Sequence, residues 1–397
     1  MYVPYMKFVT ASMFVASICL TARAQPPAKN ITDTLQPFIE NHTVAGAVTL
    51  VADKEKVLSL DTVGYADVAA KKPMRSDNVF WIASMTKPVT TTAVLMLQDA
   101  GKLSVDDPVT KYLPELARLK TPGGKPARLT LRHLLTHTSG MGEATQQESR
   151  AAAKLADLIP HFADKRMQFE PGTKWQYCQS GINSLGRIVE VVSGQSLPEF
   201  LQDRLFGPLG MKDTTFYPTQ EQIARLAKSY KAVDGKLEEA TIFILDGHDT
   251  TSRHRYPAAN GGLFSTATDY GRFCQMLLNQ GTLGGRQYLK PESVKLMSTI
   301  QTGDLKTGFT EGNGWGLGCC VVRTPQGVTA VLSPGTFGHG GAYGTQAWID
   351  PVKQVVYVLM VQRSNFPNSD ASDVRRAFQA AAAPFAENLT RGREPER

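Results

Sequence analysis

Ser84-Met85-Thr86-Lys87 sets a hydroxyl and an amine three residues apart. On a helix, positions i and i+3 share a face, so the two groups can be neighbours. An alcohol is a poor nucleophile until a base removes its proton. A desolvated lysine can be that base, because burial lowers its pKa. A serine at a helix start can also point its own N–H at an oxyanion. The same four residues fit a helix cap followed by a surface lysine, so the pattern needs its surroundings. His133 and His137, four apart, have the spacing of metal ligands, but no Glu follows His133 as a zinc-protease motif requires. No metal or other cofactor is expected.

The elements that must position Ser84 and Lys87 follow from local patterns. Val89, Ala93, Val94 and Leu97 recur at helical spacing over Ser84–Ala100, and Gly101 stops the run. Ala47–Val51 and Val57–Val63, joined by Asp53-Lys54-Glu55-Lys56, read as a hairpin. Further helices are expected over Leu129–His137, Ile182–Val192, Ala267–Asn279 and Arg375–Phe385. Strands are expected over Trp315–Val322, Val328–Leu332, Gly344–Ile349 and Gln354–Gln362. Strands at both ends with helices between them predict an α/β (α+β) chain. One antiparallel sheet, built from both chain ends and flanked by helices, carries an inserted, mostly helical lobe. The expected sheet lobe spans 25–104 and 251–386, the helical lobe 105–250, and a flexible charged tail 387–397.

With 42% hydrophobic and 20% charged residues, the 397-residue chain is neither disordered nor collagen-like. It is long enough to need no disulfide or metal staple. The net charge of +7 comes without a dense basic block or an aromatic-basic stripe, which argues against nucleic acid as a partner. Lys7, the apolar stretch Phe8–Leu20 and Ala22-Arg23-Ala24 read as an export signal over residues 1–24, cleaved after Ala24. That stretch is too short and interrupted for a membrane span, so the expected location is periplasmic or secreted. The four cysteines beyond it, Cys178, Cys274, Cys319 and Cys320, are too few and too irregular for a disulfide framework. Cys319 and Cys320 should lie on opposite faces of a strand.

Phe80-Trp81-Ile82-Ala83 before Ser84 and Thr86-Lys87-Pro88 after it resemble the penicillin-recognising serine hydrolases. These are the class C β-lactamases, the serine D-alanyl-D-alanine carboxypeptidases and the family VIII carboxylesterases. Further matches are Leu129–Gly140, Pro208–Met211 and Pro257–Leu263, in the same order, so the resemblance covers about residues 35–385. It implies a β-lactamase/transpeptidase-like fold and an acyl-enzyme on Ser84. In Trp175-Gln176-Tyr177-Cys178-Gln179-Ser180, Tyr177 matches the tyrosine of the family's Tyr-x-Asn motif. Its phenol would handle the serine proton with Lys87, either ionised or sharing a proton. Gln179 departs from the family's Asn, which contacts substrate, and this puts substrate choice in question. His339-Gly340-Gly341 matches a substrate-binding motif that the family carries on an edge strand facing the serine. His339 would polarise Tyr177 or bind a substrate carboxylate, and the amides of Ser84 and Ala342 would form the oxyanion hole.

The expected substrate is a small ester, β-lactam or peptide. Carboxylesterase-type hydrolysis ranks first. β-Lactamase, D-alanyl-D-alanine carboxypeptidase or D-aminopeptidase activity ranks second. A catalytically silent penicillin-binding or sensor module is the alternative of a different class. Oligomeric state is left open.

Overall fold

The computed structural model describes residues 1–2, 30–245 and 247–391. The expected signal segment, Met1 and Tyr2 apart, lies outside these residues. In chain order the elements that frame the molecule begin with α1 (Ile31–Glu40), β1 (Gly46–Ala52), β2 (Val57–Asp67), β3 (Lys72–Pro73) and α2 (Thr86–Asp99). Then come α3 (Leu131–Leu135), α4 (Leu155–Ala163), α5 (Gln179–Ser193) and α6 (Ala267–Leu278). The C-terminal part supplies β4 (Asn313–Trp315), β5 (Cys320–Val322), β6 (Phe337–Gly340), β7 (Gln346–Asp350), β8 (Val355–Met360) and α7 (Asp373–Arg391).

Both chain ends feed one eight-stranded antiparallel sheet, ordered β4-β5-β6-β7-β8-β1-β2-β3. The ends meet where β1 pairs with β8, Val48 opposite Met360 and Ala52 opposite Val356. Both strands are buried along their whole length. Their alternating side chains enter two different cores. Val48, Leu50, Val356, Val358 and Met360 join the larger core, which holds α2, α6 and the helical region. Ala47, Val51, Val355, Tyr357 and Leu359 join the core beneath α1 and α7. A sheet covered on both faces needs apolar residues at every position, which is why β8 reads Val-Val-Tyr-Val-Leu-Met rather than alternating. Cys319 and Cys320 point into opposite cores.

α2 is the central helix. Every residue from Thr86 to Leu97 is buried, including its threonines, and Thr90 satisfies its hydroxyl on the Ala259 carbonyl at 2.7 Å. A helix buried all round lies inside the molecule rather than on its surface. α5 ends at Gly194 in the left-handed region, φ +74°. No helix among the described residues is long and apolar enough to cross a membrane.

Five local expectations are corrected. Trp315–Val322 is a tight hairpin, not one strand: Gly318 turns at φ +65° and the Gly316 amide donates to the Cys319 carbonyl at 2.8 Å. Val328–Leu332 is not a strand. Gly327–Thr329 forms a 3-10 turn, closed by the Gln326 amide donating to Thr329 Oγ1 at 3.1 Å. The strand forms later, at Phe337–Gly340, where two glycines in four residues hide a β pattern. The helix expected over Leu129–His137 shrinks to α3, because Thr130 caps its start and His137 leaves it at φ +58°. A hairpin, Ser229–Val233 with Lys236–Ala240, interrupts the helical stretch 105–250. α7 also continues to Arg391, past the point where a flexible tail was expected.

Leu50 and Leu60 sit opposite each other on β1 and β2, yet Leu50 is 1% exposed against α6 and Leu60 is 39% exposed. Leu50→Ala should cost about 2–5 kcal/mol in denaturant unfolding. Leu60→Ala should stay within about 0.5 kcal/mol of wild type.

Candidate active site

Ser84 sits in a 3-10 turn, Ala83–Met85, that runs directly into α2. The residue before it, Ala83, has φ +47°, a left-handed conformation that costs a non-glycine residue about 1–2 kcal/mol. One helical turn on, Lys87 is 0% exposed. Its Nζ lies 3.1 Å from Ser84 Oγ and donates to the Asn260 carbonyl at 2.7 Å. It also stands 4.5 Å from the centroid of the Tyr177 ring. Burial pulls the Lys87 amine down to about 7, opposed in part by the charge of Glu143. Spacing placed the two residues on one face; tertiary burial gives the amine a neutral form near pH 7.

Tyr177 lies beside this pair. Burial holds its phenol well above 10, and hydrogen bonding with Ser84 acts the other way, so it is protonated at neutral pH. Its hydroxyl lies 3.3 Å from His339 Nε2. His339 Nδ1 is 2.6 Å from the Gly340 carbonyl, which can only accept, so Nδ1 carries the proton and Nε2 accepts from the phenol. Burial first, then the charge on Lys87, lowers His339 to about 3, so the ring is neutral. Both ring nitrogens are thereby engaged within the protein.

Gln179 opens α5. Its side-chain oxygen accepts from Asn260 Nδ2 at 2.9 Å, so the extra methylene carries the amide across to Asn260 while Lys87 takes the Asn260 carbonyl. The start of α5 is held by a group the sequence reading passed over. Glu143 accepts from the Gln179 amide at 2.6 Å, the Ser180 amide at 2.8 Å and the Ser180 hydroxyl at 2.6 Å. A carboxylate there satisfies amides that have no helical acceptor and opposes the positive end of the helix dipole. His137 also has a different place from the metal ligand its spacing allows. It is buried, its ring centroid lies 4.4 Å from that of Tyr177, and Nδ1 accepts from the Cys178 amide at 3.1 Å. Asn260 and His137 both fall inside the family-like stretches, which was the available signal. Glu143 had none.

β6 brings His339-Gly340-Gly341 to the serine, but it is not the edge strand the resemblance implies. β4 and β5 continue the sheet beyond it. β5 pairs only with Phe337 and Gly338, so the far end of β6 is unpaired on that side. A Cβ on Gly341 would lie 2.6 Å from the Ile82 carbonyl, so only glycine lets this turn pass so close to the Ser84 segment. The turn is closed by the Gly341 amide on Thr345 O (2.7 Å) and the Gly344 amide on Gly341 O (2.9 Å), neither of which uses the Ala342 N–H. Ser84, Tyr177, Gln179, His339, Gly340, Gly341 and Ala342 all line one cavity of about 560 Å³. No lysine or arginine lines it among the described residues, and Asp370, its carboxyl pushed up by burial, does. A smaller recess of about 320 Å³, lined by Arg150, Arg255 and Glu143 among others, adjoins it past Gln179 and Asn260.

The profile of the beta-lactamase family matches residues 31–382. The chain belongs to that family. Esterase EstB of Burkholderia gladioli is 30% identical over 345 residues, 79% of this chain and 84% of that protein. A putative D-alanyl-D-alanine carboxypeptidase of Escherichia coli K12 is 29% identical over 341 residues, 80% of this chain and 77% of that protein. Among solved structures, EstCE1, a hydrolase with promiscuous acyltransferase activity, shares the fold at a TM-score of 0.75 and 25% identity, covering 89% of this chain and 97% of that one. The protein is a serine hydrolase of the β-lactamase-related family, with esterase and carboxypeptidase relatives.

Cys178 adjoins Tyr177, but it is buried and burial pushes its thiol up to about 12. The thiolate is the reactive form. Iodoacetamide at pH 7.5 should therefore leave Cys178 unlabelled by mass spectrometry and activity unchanged in the folded protein.

Proposed function

We propose that this protein is an exported carboxylesterase-type hydrolase working through an acyl-enzyme on Ser84. The observation that carries the reading is the Lys87 amine: fully buried, lowered to about 7, and 3.1 Å from the Ser84 hydroxyl. Near neutral pH the unprotonated amine takes the Ser84 proton as Oγ attacks the ester carbonyl. The amides of Ser84 and Ala342 receive the oxyanion, a contribution of about 3–4 kcal/mol per donor in comparable sites. As the C–O bond breaks, Tyr177 gives its proton to the leaving alkoxide. The proton on Lys87 then restores the phenol. Water then attacks the acyl carbonyl, its proton passing to the same pair, and Ser84 is released. Neutral His339, accepting from Tyr177, keeps the phenol oriented and supplies no charge.

A neutral ester suits this cavity better than an anionic β-lactam or peptide carboxylate. No cation lines it, and the Gln179 amide oxygen is already taken by Asn260. A missing charge-assisted contact costs an anionic substrate about 1.5–3 kcal/mol, roughly tenfold to over a hundredfold. Export rests on the pattern of residues 1–24.

Ser84→Ala should form no adduct with a serine-directed phosphonate in intact-mass spectrometry, and adduct formation would remove Ser84 as nucleophile. Lys87→Ala should lose about 10²–10⁴-fold in kcat/KM while staying folded. Because the base must be neutral, wild-type kcat/KM should fall as pH drops below about 7 and level off above it. A flat profile from pH 5.5 to 8.5 would refute the base. Neutral short-chain esters should be turned over faster than an anionic cephalosporin, with Gln179→Asn narrowing the gap. A wild type that prefers the cephalosporin would put β-lactamase activity in place of esterase activity.

A further inference from the structure

Phe243 and Phe309 are the exposed phenylalanines among the described residues, at 58% and 45%. Both line the cavity that holds Ser84. Each caps a separate aromatic group. Phe243 packs edge-on against Trp81 at 5.0 Å between centroids and lies 6.0 Å from Tyr343. Phe309 packs edge-on against Tyr177 at 4.9 Å and Trp175 at 6.0 Å.

Phe309 is held there against local preference. Its φ is +74°, a conformation in which a bulky side chain is an outlier. Asn368 Nδ2 fixes its carbonyl at 2.7 Å. The preceding Gly308 runs so close to Trp175 that a Cβ would lie 2.7 Å from the indole. A strained backbone that presents an apolar ring to an open cleft is the kind of feature found at ligand clamps. The side of the cleft is set by Tyr177, whose ring Phe309 touches and whose hydroxyl serves the departing oxygen in the reaction proposed above.

We propose that Phe309 forms an aromatic subsite for the alcohol half of the substrate, so that the preferred esters are those of benzyl-type or similarly flat, apolar alcohols. This rests on the ester-hydrolase reading of Ser84. The ring would stack on the leaving group and hold its oxygen beside the Tyr177 hydroxyl. The selectivity would therefore appear chiefly in KM.

The test measures kcat and KM of the purified full chain on two ester series. One keeps the acetyl group and varies the alcohol through methyl, ethyl, benzyl and naphthylmethyl. The other keeps benzyl alcohol and lengthens the acyl group from acetyl to hexanoyl. Phe309→Asn removes the ring with a residue that tolerates the left-handed backbone, and Phe309→Tyr retains it. Wild type should favour benzyl over methyl acetate by tenfold or more in kcat/KM. Phe309→Asn should cut that preference about tenfold, mostly through KM, with no fall in unfolding temperature. Phe309→Tyr should keep the preference. Equal losses on methyl and benzyl acetate, or a change that follows acyl length instead, would overturn the subsite while leaving the esterase reading standing. No turnover of any ester would overturn both, and an adduct with a cephalosporin in the same preparation would show the nucleophile to be intact.

Discussion

One buried amine organises the molecule. Lys87 lies inside a helix that is buried on every side, with a serine hydroxyl and a backbone carbonyl as its partners rather than a carboxylate. Water would solvate the ammonium better than these groups do, which is why the folded protein binds the proton less tightly than a free lysine. The sign of the linkage follows. Between pH 7 and about 10.5 the unfolded chain holds a proton that the folded chain has released, so this group's penalty on stability is full below pH 7 and fades as pH rises through that window. A shift of that size amounts to several kcal/mol, which the two cores on either side of the sheet must offset. The same penalty leaves a neutral amine beside Ser84 near pH 7.

The surrounding groups are consistent with a site that holds few charges. Tyr177 is protonated and His339 neutral, both from burial, and His137 is likewise pushed well below its ordinary range, by burial and by Lys87. Fixed dipoles can then act on charge that develops during reaction without first being screened by resident ions. Precision comes from the frame. Ala83, His137 and Phe309 all hold left-handed backbone around the site. Each such residue costs about 1–3 kcal/mol, sustainable only where the surrounding packing over-determines the chain.

The fold by itself leaves the substrate undecided, since an esterase and a putative carboxypeptidase are both relatives of this chain. Discrimination falls to the residues that line the cleft without touching the serine proton. In this chain the cleft is lined by the hydrogen-bonded Gln179 and Asn260, the uncharged His339 and the exposed rings of Phe243 and Phe309, and its described lining lacks a cation.

What could be read from the sequence was local or carried by short motifs. The i, i+3 spacing of Ser84 and Lys87, the hairpin around Asp53–Lys56 and the helices expected at Ala267–Asn279 and Arg375–Phe385, found at Ala267–Leu278 and Asp373–Arg391, follow from periodicities within one element. The family-like segments pointed to Tyr177, Gln179 and His339, which line one cavity with Ser84. Where glycines broke the periodicity, at Trp315–Val322 and Phe337–Gly340, strand boundaries were lost. Tertiary structure alone decided the rest, because each remaining property depends on atoms far away in the chain. Lys87 meets the Asn260 carbonyl across 173 positions, and Glu143 caps α5 from 36 positions upstream of Gln179. The proton affinity of Lys87 belongs to no residue. It is set by how completely two chain ends and a helical insertion exclude water from one amine, and no spacing in the sequence measures that.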